Sequence, residues 1–463
     1  MPRTKSTKPF SKQVYIFGGC CSLVLVAGAY FITPEVFSVE YRSGGPGGAL
    51  GANYAAQTLD KNNEQKDAQA ENIVTHIATP EPLKAIYMTQ CVVGTKDFRE
   101  ELVKIADTTE INSILIDIKD FSGKIAFRPV ENRGGTSGAN GASSVSGQHF
   151  TDLMEAYKTA DCGASDMIKF IARLHEKGIY VIGRITVFQD PFMTKKYPER
   201  AVKSAATGGV WKDFKGLSFV DVGAKDHWDY IIELSKQSYA IGFDELNFDY
   251  IRYPSDGNMK DTKFMLPAGE AKSEMLAEFF AYLHSALKPT GAVLSADLFG
   301  MTTTSRDDLN IGQVLEKALP HFDYIAPMVY PSHYPKNFNG YANPNDNVYG
   351  VIHFAMKGAV DRVKTFYNLV PPPAPVVTAS AASTSPSSTP ETPAAPAWKA
   401  PSPETVAKHV QKLRPWLQDF DYGGNYDIAE VKAQIKATYD AGLTSWMIWS
   451  PSNKYTTGAL KGE

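Results

Sequence analysis

Eight short apolar runs, at 85–91, 113–118, 180–188, 243–251, 292–299, 324–330, 415–421 and 445–449, alternate with stretches whose apolar residues recur at helical spacing. No other feature of the chain narrows its fold so far. Met167, Phe170, Ile171 and Leu174 share one helical face, as do Trp228, Ile231, Ile232 and Tyr239, and Ile428, Val431, Ile435 and Tyr439. Gly178, Gly242 and Gly442 each follow such a stretch, where a helix ends in a left-handed residue, and a strand begins a few positions later. Repetition of helix, glycine and strand implies parallel strands joined by right-handed crossovers. An open nucleotide-binding sheet would place a glycine-rich turn after its first strand. The first run leads into CVVGTK at 91–96 instead. The pattern predicts an α/β chain with a single (β/α)8 TIM barrel over 83–457.

The segments outside that pattern have their own character. Arg3, Lys5, Lys8 and Lys12 make 1–13 a basic tail, and 14–32 carries no charge. At ~1.5 Å per residue that run is about 28 Å long as a helix, enough to cross a bilayer. Basic residues stay on the cytoplasmic side, so the expectation is a single-pass cell-membrane protein with its barrel on the extracytoplasmic side. A cleaved signal peptide ending near Ala29 is the rival reading. Residues 33–82, rich in small and polar side chains over most of their length, read as a flexible stalk. Residues 133–147 read as a long mobile loop. The Pro/Ala/Ser/Thr stretch at 371–401 cannot offset the entropy of ordering and reads as a disordered insertion within the barrel.

Charge and cysteine content exclude several classes. With 47 Lys+Arg against 50 Asp+Glu, the chain has no basic footprint for nucleic acid. Cys20 and Cys21 lie in the apolar run. Nothing in the sequence brings Cys91 and Cys162 together, so no disulfide between them is expected. The nine histidines form no ligand pair on a strand, and neither a metal nor a cofactor is expected. No obligate protein partner is evident.

In a barrel, function sits at the C-terminal ends of the strands, and polar residues gather there. The second run ends in Asp117, Lys119 and Asp120, and the third carries Arg184. In the fourth, Leu246, Phe248 and Tyr250 alternate with Glu245, Asn247 and Asp249, so three polar side chains point into the barrel. Such a stack is costly unless substrate, water or partners meet it. Ser295 and Asp297 repeat the pattern in the fifth run. Tyr330 ends the sixth, Trp416, Gln418 and Asp419 come from the seventh, and Trp446 and Trp449 from the eighth. Arg184, Lys119 and Arg252 are either substrate ligands or ion-pair partners of these acids. Asp419 is either a ligand or a loop cap, and one of the two tryptophans belongs to the core. A carboxylate-lined pocket with aromatic faces suits glycoside hydrolysis, which needs two carboxyls flanking the scissile bond. Asp249 and Asp297 are the expected catalytic pair, with Glu245 as substitute proton donor. The expected substrate ligands are Asp117, Lys119, Asp120, Arg184, Glu245, Asn247, Arg252, Tyr330, Gln418, Asp419 and Trp449.

The run FDELNFDYIRYP at 243–254 resembles a signature of the putative glycosyl hydrolase family of bacterial TIM-barrel proteins known mainly as a domain of unknown function. Similar segments are LIDIKD at 115–120, GRITVFQDP at 183–191, SADLFG at 295–300, IAPMVYPSHY at 325–334, LRPWLQDF at 413–420 and WMIWSPSNKY at 446–455. The resemblance implies a (β/α)8 barrel related to glycoside hydrolases, with the acid matching Asp249 as nucleophile. A membrane-anchored hydrolase of polysaccharide or oligosaccharide is the leading expectation. A catalytically inactive glycan-binding barrel attached to the cell envelope is its rival.

Overall fold

Residues 74–130, 147–372 and 398–462 are described in the computed structural model. They all belong to one compact unit, Asn72–Glu463. Each apolar run supplies one barrel strand: β1 (Lys84–Met88), β2 (Ser113–Lys119), β3 (Tyr180–Thr186), β5 (Glu245–Asp249), β7 (Val293–Phe299), β8 (Tyr324–Met328), β9 (Trp416–Gln418) and β10 (Trp446–Trp449). A small antiparallel pair, β4 (Lys203–Ser204) and β6 (Thr262–Lys263), lies outside the barrel and was not expected from the sequence. The closed order is β1-β10-β9-β8-β7-β5-β3-β2, with every neighbouring pair parallel.

Alternation divides the strand residues between two cores. Ile114, Ile116, Val181, Leu246, Phe248 and Leu294 face outward into the helices. Ala85, Leu115, Ile182, Ala326, Trp416 and Met447 fill the barrel interior. Each large aliphatic side chain so buried stabilises by about 1.5–3 kcal/mol. The helix Met167–Glu176 buries Met167, Phe170, Ile171 and Leu174, and Gly178 follows it with φ of 73°. On β3, Gly183 is required by space: a Cβ there would stand 2.2 Å from Ile118 Cδ1 and 2.9 Å from a Phe243 ring carbon.

Three expectations change. Residues 74–82, assigned to the stalk, are bound to the barrel. The Ile77 N–H donates to Asp244 Oδ1 at 2.8 Å, Thr79 Oγ1 meets the Tyr180 hydroxyl at 3.0 Å, and Ile77 packs against the inner core. The apolar interior has to be covered below as well as around its sides, and this segment covers it there. At the other end the chain stays in contact beyond residue 457, where Glu110 N–H donates to Lys461 O at 2.9 Å. Cys91 and Cys162 form a disulfide with Cα atoms 4.9 Å apart. They are 71 residues apart in sequence, and only packing brings together the turn after β1 and the loop before Met167–Glu176. There Gln90 Nε2 donates to Cys162 O at 2.9 Å.

The basic tail, the 14–32 run and the stalk up to residue 73 lie outside the described residues, as do most of 133–147 and 373–397 of the Pro-rich insertion. Among the described residues no helix is long and apolar enough to cross a membrane. The disulfide generates a prediction. Replacing both Cys91 and Cys162 by Ser should cost about 2–4 kcal/mol, read as a lower unfolding midpoint in denaturant. A reducing agent should produce the same loss in the native chain and none in the double variant.

Candidate active site

The inner positions at the C-terminal ends of β2, β3, β5 and β7 carry Asp117, Arg184, Asp249 and Asp297, and one guanidinium ties them together. Register places Asp117 directly opposite Arg184, and Asp249 opposite Thr186 on the same strand. Arg184 Nη1 donates to Asp117 Oδ1 at 2.6 Å. Its Nε donates to Asp249 Oδ2 at 3.2 Å, and Nη2 bonds the same oxygen. Its Nε also stands 3.7 Å from Asp297 Oδ2. Burial works to lower the Arg184 pKa, yet Asp249, Asp117, Tyr87 and Asp297 together raise it well above its ordinary value. The cation is therefore permanent.

The three acids differ in surroundings. Asp249 accepts from Arg184 and, through Oδ1, from the Tyr250 N–H at 2.5 Å. Tyr250 has φ of 51°, a conformation that costs a bulky residue about 1–3 kcal/mol. Tyr250 still packs against the outer core that holds Leu246 and Phe248, as alternation led one to expect. Asp297 Oδ1 accepts from Trp416 Nε1 at 2.8 Å and Asn247 Nδ2 at 2.9 Å. Burial, then the charge of Asp249, pushes its pKa up to about 8. Burial also raises Asp117, against the pull of Arg184 and of the Tyr87 hydroxyl that donates to it. Because Asp249 Oδ2 and Asp297 Oδ2 both lie within reach of one Nε, at 3.2 and 3.7 Å, these two oxygens are at most about 7 Å apart.

The opposite half of the rim is aromatic. Tyr330 stacks on Trp449 with centroids 5.3 Å apart, and Phe420 meets the Trp449 ring at 4.9 Å in a T-shape. His333 and Tyr422 continue this group outward, their rings 6.1 Å apart, and Tyr422 is 63% exposed. Trp446 is the core tryptophan, its Nε1 bonded to the Tyr439 hydroxyl at 3.0 Å.

Several expected ligands hold the rim together without facing the carboxyl pair. A bulge between Asp117 and Lys119 shifts the register, so Lys119 pairs with outward-facing Ile185 instead of following Asp117 inward. Its Nζ is buried, 2.9 Å from Asp190 Oδ2 and 2.6 Å from Thr186 O. Asp120 accepts from Ser122 N at 2.9 Å and shapes the turn after β2. Glu245 points inward, but at the opposite end of β5, about 13 Å from Asp249 along the strand. There it accepts from Arg414 Nη1 at 2.9 Å and the Tyr180 hydroxyl at 3.2 Å, so it cannot substitute as proton donor. Arg252 is buried against Phe299 and Tyr250, at 4.6 and 5.0 Å from their ring centres, and makes no ion pair with Asp249. Gln418 accepts from Ser332 Oγ at 2.8 Å, and Asp419 accepts from Thr456 N and Oγ1, both at 2.7 Å. Both bonds fit the loop-cap reading of Asp419. Tyr87, Phe420 and Tyr422 complete the rim without having been singled out. Continuing the inward alternation from Ala85 would have reached Tyr87, whereas no periodicity marks the two residues beyond β9.

A family model described as "putative glycosyl hydrolase domain" matches residues 85–384 and 377–455. The chain belongs to this family. Its barrel is a glycoside-hydrolase barrel, as the motifs in β2, β3, β5 and β7 led one to expect. Among solved structures, a hypothetical protein from Ruminiclostridium thermocellum is 33% identical, covering 49% of this chain and 98% of that one, with a TM-score of 0.37. The PgaB (BpsB) glycoside hydrolase domain from Bordetella bronchiseptica is 12% identical, covering 82% and 99%, with a TM-score of 0.49. A chitinase from Chromobacterium violaceum is 11% identical, covering 82% and 96%, with a TM-score of 0.40. No curated protein matches the chain.

The raised Asp297 carboxyl makes stability depend on pH with a definite sign. Between the ordinary value of about 4 and the folded value of about 8, the folded chain holds a proton that the unfolded chain releases. This contribution is complete below about pH 4 and is lost as pH rises through about 8. Asp297→Asn keeps the group neutral. Its melting temperature relative to native should therefore climb between about pH 5 and about pH 9. A constant difference would show that the carboxyl titrates normally.

Proposed function

We propose that this protein is a membrane-anchored glycoside hydrolase cleaving extracytoplasmic polysaccharide, with Asp249 and Asp297 as its working carboxyls. The observation that carries the reading is the unequal pair at the rim. Asp249 is bonded by a permanent cation, while burial and the charge of Asp249 raise the Asp297 pKa and so favour its protonated form. Glycoside hydrolysis asks for that division: one acid to protonate the leaving oxygen and one carboxylate to meet the positive charge developing at the anomeric carbon. The aromatic half of the rim offers ring faces to the sugar, with Tyr330 stacked on Trp449 and Phe420 beside them.

The chemistry then runs in two steps. Asp297 gives its proton to the glycosidic oxygen as the bond from the anomeric carbon to that oxygen breaks. An Asp249 oxygen bonds to the same carbon. Water replaces the departed sugar, loses a proton to Asp297 and displaces Asp249, which restores both groups. The oxygens are at most about 7 Å apart, which accommodates the separation of about 5–5.5 Å that a retaining pair uses. Asp117 keeps Arg184 in place from the far side. The basic tail and the uncharged 14–32 run support a membrane anchor with the barrel outside. The Cys91–Cys162 disulfide supports an oxidising compartment.

Incubating the purified barrel with a panel of defined glycans and measuring released reducing sugar tests the activity. Asp249→Asn should lower the rate by several orders of magnitude with the fold intact, and the product should leave with its anomeric configuration retained. Asp297→Asn should cost about 10²–10⁴-fold, and the native loss of kcat/KM above about pH 8 should vanish. Glycan binding without any release of sugar would make the barrel a binding module instead. Near-native cleavage by Asp249→Asn would move the nucleophile elsewhere. The topology has its own check. Protease added to intact cells should remove the barrel and leave the basic tail membrane-bound, whereas a mature chain starting after Ala29 would overturn the anchor.

A further inference from the structure

The two oxygens of Asp297 are not equivalent. Oδ1 accepts two hydrogen bonds, from Trp416 Nε1 at 2.8 Å and Asn247 Nδ2 at 2.9 Å. Oδ2 has no hydrogen bond among the described residues, and its charged neighbour Arg184 Nε is 3.7 Å away. An indole nitrogen can donate but never accept, so Trp416 cannot take a proton from Oδ1. Asn247 Nδ2 also donates to Ser295 Oγ at 3.1 Å, while its own Oδ1 is buried without a hydrogen bond among the described residues. Trp416, Asn247 and Asp297 are all buried, so neither donor swings away freely.

We propose that Trp416 and Asn247 are positioning residues that saturate Oδ1 of Asp297 and thereby confine its transferable proton to Oδ2, the oxygen that faces Arg184 and Asp249. In a carboxylic acid the carbonyl oxygen is the better acceptor, so two fixed donors select which oxygen remains the carbonyl. The proton then lies on the side where a glycosidic oxygen between the two carboxyls would sit. Both donors also favour the ionised form, offsetting part of the push from burial and from Asp249. Their second effect is to keep the acid from becoming too weak to give up its proton near neutral pH. The role rests on Asp297 being the acid, but it is a statement about proton position and is testable without a substrate.

The test is a carboxyl carbon-13 NMR titration of the purified chain, with the Asp297 signal assigned by its loss in Asp297→Asn. The native signal should titrate near pH 8. Trp416→Phe removes one donor while keeping an aromatic ring, and Asn247→Leu removes the other at similar volume. Each should move the midpoint upward by roughly one unit, the scale of one hydrogen bond to a charged group. If Trp416→Phe fails to fold, Asn247→Leu alone decides. A neutron structure below the midpoint should show the deuteron on Oδ2. A native midpoint near about 4 would overturn Asp297 as the acid. A native midpoint near 8 with neither variant shifting it, or a deuteron on Oδ1, would overturn the positioning role and leave the acid in place.

Discussion

A single buried cation organises the upper end of this barrel. Removing a guanidinium from water costs several kcal/mol before any partner is met. Arg184 recovers that cost from Asp117, Asp249 and Asp297, which reach it from three other strands. The dependence is mutual, because without the cation three carboxyls would crowd one dry space and could not all ionise. The outcome is graded, with Asp249 bonded to the charge and the Asp297 pKa raised by burial and by Asp249. The asymmetry follows from how one fork of N–H donors bonds two of the acids and leaves the third 3.7 Å away.

The remaining polar residues at the rim serve that arrangement from behind. Lys119 joins Asp190 to the end of β3, the strand that carries Arg184. Gln418 fastens the end of β9 to the turn Pro331–His333 beside Tyr330, and Asp419 fastens the loop around Thr456. Asn247 and Trp416 link β5 and β9 through Asp297 on β7. A charged half, from β2 to β7, then faces an aromatic half, from β8 to β10 with Tyr87 of β1. A pyranose has both an apolar face and a hydroxyl edge, and this division offers a surface to each.

Sequence resolved some parts of the site and missed others for identifiable reasons. Alternation in FDELNFD put Asn247 and Asp249 inside, because a strand's side-chain period of two survives any packing. Alternation does not hold at Lys119, where a bulge adds a residue and turns the side chain outward. Glu245 obeyed the rule and was still misread, because alternation gives the face of a strand and says nothing about height along it. Cys91 and Cys162 illustrate a further limit, since contact across 71 residues leaves no local trace.

What the sequence determined by itself was the repeating unit, and with it the barrel. Helical faces such as Met167, Phe170, Ile171 and Leu174, ended by a glycine and followed by a strand, are local consequences of periodicity and backbone sterics. Eight strands in such a repeat leave few ways to close. Tertiary structure alone decided which acid is buried away from the cation, which lysine is spent on scaffolding and which nitrogens donate to Asp297. Those outcomes depend on burial and on distances of a few ångströms between strands far apart in the chain, and Coulomb interactions in a dry interior are strong at that range and nowhere written in residue order.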